Sequence, residues 1–215
     1  FPGRVERIHG IGVDAERYHP ATVEEQRAMR RREGLSNKDF VILCTGELNE
    51  NKNQKTLISA AALLKDQIPN LKVLLAGNGP KERELREQIK AEGLEETVRL
   101  LGYRTDLEQL VPAVDVVVSC SKREGLPLNI VEAMLCAKPI VASVNRGHRE
   151  LVQDGVTGYL VGPEDAHGFA ERLAGIIAEP GFYAQLGSRG FTKGQDYTIA
   201  AVKQSLMSIV EIDKC

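Results

Sequence analysis

Two glutamates, Glu124 and Glu132, bracket the run Gly125-Leu126-Pro127-Leu128-Asn129-Ile130-Val131, and Lys52 stands in a second, asparagine-rich loop, Asn49-Glu50-Asn51-Lys52-Asn53. These residue types suit an anion flanked by hydroxyls. Gly125 has no Cβ, so the backbone there can come close to a ligand. Pro127 fits the first turn of a helix running through Glu132. The unpaired N–H groups of such a helix start, at the positive end of its dipole, cradle phosphate. Lys52 adds a mobile point charge for the same phosphates. Glu132, one to two turns into the helix, can accept both hydroxyls of a ribose.

Such residues need a scaffold that brings the two loops together. From residue 41 onward, short apolar runs alternate with helical stretches. The runs are Phe40–Cys44, Lys72–Ala76, Val98–Leu101, Val114–Ser119, Ile140–Ser143 and Tyr159–Val161. They are near-continuous rather than alternating, as in parallel strands covered on both faces. Between them, apolar residues at helical spacing predict helices over Thr56–Lys65, Glu82–Ala91, Asp106–Leu110, Leu128–Leu135 and His148–Val152. This repeat predicts an α/β fold, a Rossmann-like, doubly wound six-stranded parallel sheet. With the order 3-2-1-4-5-6 the sheet reverses between its first and fourth strands, and ligands bind beyond the carboxyl ends there. That rule selects the loops 46–53 and 119–127 without any motif. Residues 1–34, with a short apolar run, the loop Gly10-Ile11-Gly12-Val13-Asp14 and a helix over 23–33 ending at Gly34, lead into a domain over 35–198. Helices are expected near 167–178, 182–189 and 199–211, separated by Pro180-Gly181 and Gly194, with 199–215 as a terminal helix.

Composition sets bounds. A net charge of −2 and an isoelectric point near 6.2 give no overall basic field for nucleic acid. The run Arg30-Arg31-Arg32 reads as the solvated face of an amphipathic helix, the sharper alternative being a contact to anionic lipid. Cys44, Cys120, Cys136 and Cys215 are scattered without metal spacing, and two fall in buried strands, which points to a reducing, cytoplasmic compartment. There is no apolar stretch of about 18 residues, and the chain opens Phe1-Pro2-Gly3 without a Met, as a piece of a longer protein would. Gly77-Asn78-Gly79 hints at a dinucleotide fingerprint, but Glu82 stands where the third glycine belongs, so it reads as a tight turn. His9, His19, His148 and His167 have no metal spacing and read as loop or surface residues, His148 keeping a small share in the site. No D-x-D carboxylate cluster occurs, so neither metal nor cofactor is expected.

The segment Glu124-Gly-Leu-Pro-Leu-Asn-Ile-Val-Glu132 resembles the E-x7-E motif of retaining GT-B glycosyltransferases of the glycogen-synthase-like, sucrose-synthase-like group. Further landmarks follow in the family's order: Gly46 and Lys52, Ala76-Gly77-Asn78-Gly79-Pro80, Leu101-Gly102-Tyr103 with Asp106, Lys138-Pro139-Ile140-Val141-Ala142, Gly147-His148-Arg149-Glu150-Leu151-Val152 and Asp154-Gly155-Val156-Thr157-Gly158-Tyr159-Leu160-Val161. The Gly-Glu-Leu-Asn and Asn-Lys-Asn flavour of the first loop is similar to bacterial enzymes of capsule and exopolysaccharide assembly.

The resemblance implies one half of a GT-B fold, the half that binds the nucleotide sugar. Glu132 would hold the ribose and Glu124 the donor sugar near the reacting centre. The amides of Gly125, Leu126 and Leu128 would surround the sugar and diphosphate, Lys52 would steady the leaving diphosphate, and Leu101–Arg104 would border the base, with Tyr103 or Arg104 covering it. The implied donor is a UDP- or GDP-sugar, and the acceptor belongs to an N-terminal domain of the parent, cytoplasmic or peripheral at the membrane. The fragment alone is expected to turn over little or nothing. Many relatives carry Arg directly after the first-loop glycine, where this chain has Glu47. At about 4 Å and an effective dielectric near 20, Glu47 would repel phosphate by roughly 4 kcal/mol, so it is expected to face away and orient Lys52 or Arg123, with Arg123 a partial replacement. The alternatives are a non-catalytic nucleotide-sugar-binding module and a sugar 2-epimerase of the same architecture.

Overall fold

A computed structural model describes residue 8 and residues 10–212, the last three by backbone only. His9, Cys215 and most of the apolar run before residue 9 lie outside the described residues. Six strands, β1 (Phe40–Thr45), β2 (Leu71–Ala76), β3 (Val98–Gly102), β4 (Val116–Ser119), β5 (Ile140–Ser143) and β6 (Tyr159–Val161), form one sheet in the order β3-β2-β1-β4-β5-β6. Every neighbouring pair is parallel. The expected order is the observed one.

The helices are α1 (Val23–Arg32), α2 (Gln54–Leu64), α3 (Glu82–Ala91), α4 (Leu107–Leu110), α5 (Leu128–Leu135), α6 (Arg146–Leu151), α7 (Ala166–Ala178), α8 (Pro180–Gly194) and α9 (Ile199–Ile212). Side chains alternate across each strand, which splits the core in two. Ile42 and Cys44 of β1 pack with Leu57 and Ile58 of α2, Leu85 of α3 and Phe169 of α7. Val41 and Leu43 face the other way, toward Met29 of α1, Leu110 of α4, Ile130 and Met134 of α5 and Leu151 of α6. Both faces are covered, which is why the strands read as continuous apolar runs. Cys44, Cys120 and Cys136 are free and buried, and burial pushes the Cys44 and Cys136 thiols up to about 12. Among the described residues, no helix is long and apolar enough to cross a membrane.

Three expectations need correction. β4 begins at Val116, not Val114, because the Asp115 carboxylate takes the Val41 N–H at 2.7 Å. Pro180 and Gly181 open α8 rather than separating helices; proline at a helix start forfeits only an N–H that would be unpaired anyway. The Arg30-Arg31-Arg32 run is not a uniformly solvated face. Arg30 is buried, donating to Ala113 O (2.9 Å), Asp39 O (3.1 Å) and Asp115 Oδ2 (2.7 Å), while Arg32 pairs with Asp106. Arg30 thereby ties α1 to the amino ends of β1 and β4.

Removing one partner of a buried ion pair strands the other and costs about 3–5 kcal/mol. Asp115 keeps 32% of its side chain exposed, so Arg30→Ala should destabilise by about 3 kcal/mol, the lower end of that range. Urea unfolding monitored by circular dichroism measures this, and a loss under about 1 kcal/mol would show that Arg30 is no structural tie.

Candidate functional site

Beyond Thr45 the chain turns at Gly46, whose φ of +139° is open to glycine. A Cβ there would stand 3.1 Å from Lys52 Cε, so the glycine leaves the Lys52 stem room to lie across the turn. Two more glycines press the β2 turn onto this loop. A Cβ on Gly77 would sit 2.0 Å from Gly46 O, and one on Gly79 would sit 2.4 Å from Leu48 O. Backbone bonds then zip the turns together: Gly46 N to Ala76 O (3.0 Å), Leu48 N to Asn78 O (2.9 Å) and Lys81 N to Leu48 O (2.9 Å). Gly77-Asn78-Gly79 is therefore a tight turn that supports the first loop.

Asn51 staples the loop after β1 to the loop after β4. Its side chain donates to Arg123 O (3.0 Å) and accepts from Arg123 N (3.1 Å), while its carbonyl accepts from Lys122 N (2.8 Å). Across this seam Lys52 Nζ meets Glu124 Oε1 at 2.6 Å, the two side chains 23% and 13% exposed. From the far side, Gly147 at the start of α6 lies against the same loop: a Cβ there would stand 2.4 Å from Gly125 O and 2.8 Å from Glu124 Cβ. At Gly125 itself an added Cβ would meet nothing within 4 Å, so its open side is free for a ligand. Pro127 is the residue that precedes α5, and no side chain caps that helix. Its first amides, Leu128 and Asn129, thus point out of the helix start as donors suited to an anion.

Next to this seam is a cavity of about 350 Å³ lined by Gly46, Glu47, Ala76, Gly77, Asn78, Tyr103, Arg104 and Leu107. Tyr103, at 75% exposure, stands at its open rim. Arg104 is held. Its guanidinium is forked onto Glu33 (2.8 and 3.0 Å) and onto Asp106 (2.8 and 2.9 Å), and these bonds hold both carboxyls below the usual carboxylate range. Glu47 accepts from Asn49 Nδ2 (2.7 Å), and Asn49 Oδ1 accepts the Lys52 N–H (2.8 Å). The expected link from Glu47 to Lys52 thus runs through Asn49 to the backbone, and not to Arg123.

Glu132 sits apart from that lining, half-buried on α5, where the Tyr18 hydroxyl faces it; burial pushes its carboxyl up from the usual range, while Tyr18 and Arg17 act to lower it. His148 is no surface residue, as was expected, but fully buried. Burial pushes its imidazole down.

The structure thus brings Gly46, Lys52 and Glu124 to one seam, with Gly125, Leu126 and Leu128 following on the same loop and helix start. Tyr103 and Arg104 border the adjoining cavity. Leu101 packs against the core below, and the Arg123 side chain is exposed while its backbone is stapled. Asn51, Gly147 and Glu33 escaped functional reading, though Gly147 stood among the ordered landmarks, and His148 was given only a small share.

A family model described as glycosyl transferases group 1 matches residues 25–193. The chain is 40% identical over 188 residues to the putative glycosyltransferase EpsD of Bacillus subtilis (strain 168), covering 87% of this chain and 49% of that protein. It is 34% identical over 200 residues to a D-inositol 3-phosphate glycosyltransferase of Salinispora arenicola (strain CNS-205), covering 86% and 44%. Among solved structures, Anabaena Alr3699/HepE in complex with UDP-glucose superposes with a TM-score of 0.86 at 31% identity, over 93% of this chain and 56% of that one. The C-terminal domain of the group 1 glycosyl transferase LpcC from Francisella tularensis has a TM-score of 0.79 at 24% identity, over 87% of this chain and 100% of that one, a likeness of fold. The chain spans about half the length of the curated relatives it matches.

Because the Glu132 carboxyl is raised in the folded state, its ionisation opposes folding. The stability it contributes is full below the ordinary glutamate range and is lost as pH rises through the raised value. Glu132→Gln should therefore raise the melting temperature at pH 7 and flatten the decline in stability above pH 4.5. Thermal unfolding from pH 4 to 8 checks this; a variant less stable than the parent at pH 7 would contradict it.

Proposed function

Because this chain belongs to the glycosyl transferases group 1 family, we propose that it is the donor-binding half of a retaining GT-B glycosyltransferase acting on a nucleoside diphosphate sugar. One observation carries the proposal: Lys52 and Glu124, from the loops after β1 and β4, meet at 2.6 Å where the strand order reverses, beside the uncapped start of α5. An anionic diphosphate fits that place. The amides of Gly125, Leu126 and Leu128 surround it, and Lys52 leaves Glu124 to bind it. Glu124 is then free to accept hydroxyls of the donor sugar. The cavity beside Tyr103 suits a nucleobase, and Glu132 takes the ribose hydroxyls once they displace Tyr18. The structural neighbour with UDP-glucose at 31% identity favours UDP as the nucleotide.

Transfer builds positive charge on the sugar while negative charge grows on the departing diphosphate. Preorganised donors aimed at that growing charge are the largest form of help a site can give. Lys52 and the α5 amides supply them on one face of the sugar, which suits departure and attack from the same side with retained configuration. The likeness to EpsD supports a role in making exopolysaccharide. The acceptor site lies in the preceding half of the parent protein, and the whole works at the cytoplasmic side of the cell, peripheral to the membrane where its acceptor is lipid-linked.

Calorimetric titration with UDP, GDP and UDP-glucose tests the reading. This chain should prefer the uridine nucleotides and bind them weakly. Lys52→Ala should lose roughly tenfold or more, the value of a charge-assisted bond at about 1.5–3 kcal/mol. The isolated chain should transfer no sugar. No nucleotide affinity, or brisk transfer by this chain alone, would overturn the assignment.

A further inference from the structure

His148 is 0% exposed, and its Nε2 has no hydrogen-bond partner. Its Nδ1 lies 2.7 Å from Ser143 O, a group that only accepts, so the ring hydrogen belongs on Nδ1. Two further polar groups lie around Nδ1. Ser143 Oγ spends its hydrogen on Ser121 O (2.5 Å) and so can accept from the ring at 3.2 Å. Asn145 Nδ2, 2.9 Å from the same nitrogen, has acceptors elsewhere for both of its hydrogens, Ser121 O (2.8 Å) and Ser143 Oγ (3.5 Å). The neutral ring therefore presents a bare lone pair on Nε2 inside the protein.

The charged groups that act on this ring are Glu124, from the loop after β4, and Lys52, from the loop after β1; Ser143 of β5 and Asn145 before α6 are uncharged. The preceding residue, Gly147, lies against Glu124 closely enough that no Cβ would fit. While Lys52 and Glu124 stay closed at 2.6 Å, their charges oppose one another at the ring. Once they part, the carboxylate acts on it alone.

We propose that His148 is a positioning residue that couples donor binding to protonation: as the diphosphate draws Lys52 off Glu124, Nε2 takes up a proton and the imidazolium holds the carboxylate that Lys52 has left. The proton comes from solvent by way of Glu124, which keeps 13% of its side chain exposed. The inference rests on the donor-binding reading. It explains why a cation can be removed from Glu124 without leaving the carboxylate free to turn away from the sugar.

UDP-glucose is the probe, because it has no group that titrates near pH 7. Titration of this chain at pH 7 in buffers of low and high ionisation enthalpy should reveal net uptake of up to one proton. Affinity should fall by up to about tenfold per pH unit between pH 6.5 and 8. In His148→Asn both effects should vanish while UDP-glucose still binds. This chain with 15N-labelled histidine should show His148 passing from the neutral Nδ1–H pattern to the doubly protonated one on adding UDP-glucose. Binding without uptake, uptake that persists in His148→Asn, or a His148 signal that stays neutral would each overturn this inference alone. No binding of UDP-glucose would overturn the donor reading, and this with it.

Discussion

A cation and a carboxylate carried on two different crossovers, Lys52 and Glu124, close to 2.6 Å only where β1 and β4 lie side by side. Parallel strands deliver every one of their following loops to the same edge of the sheet. Only at the reversal of strand order do two such loops diverge and leave a crevice between them. The ion pair spans that crevice. Its neighbours are arranged to let it form: Gly46 clears the Lys52 stem, Asn51 staples the two loops, and Gly147 lets α6 press against Glu124.

Backbone-to-backbone packing provides the stiffness this requires. The turn after β2 rests on the loop after β1 through glycines whose Cβ atoms would collide with carbonyl oxygens. Asn53, in the left-handed region at φ 54°, starts α2 and donates to Pro163 O at 2.6 Å and Thr56 Oγ1 at 3.0 Å. The charged side chains of the seam are thus mounted on closely packed backbone. Arg104 follows the same logic: forked onto Glu33 and Asp106, it is held as one wall of the cavity, while Tyr103 on the other side is exposed.

The same region holds several groups that a fold selected for stability alone would avoid. Glu132 is ionisable and desolvated, and His148 Nε2 and the side-chain oxygens of Asn53 and Gln54 are buried without partners. The histidine nitrogen and the two amide oxygens each leave an acceptor unsatisfied, which is costly in an apolar interior. Asn53, Gln54 and His148 stand on the loops and helix starts beside the crevice, while one more such oxygen, Glu92 Oε2, lies at the end of α3. The opposite edge of the sheet is built differently. There each guanidinium nitrogen of Arg30 has a partner, two carbonyls and Asp115, and the residue ties α1 to the strands.

Much of this was legible in the residues. Near-continuous β-branched runs announce strands covered on both faces, their alternation with helical spacing announces a parallel sheet, and strand order then nominates the two loops that carry Lys52 and Glu124. These signals are local, and short-range periodicity survives in a linear chain. Contacts that depend on burial or on register across crossovers are not local. Lys52 and Glu124 are 72 positions apart, and Arg104 and Glu33 are 71 apart. Nothing in either segment says that the arginine beside the cavity is already occupied. Nor does a run of three arginines reveal which one turns inward, or a histidine beside Gly147 that its ring is sealed from solvent. The sequence by itself determined the sheet, its order and the loops at its crevice. Only the tertiary structure decided which charges meet there and which polar atoms are left without partners, because pairing and desolvation are properties of neighbours in space.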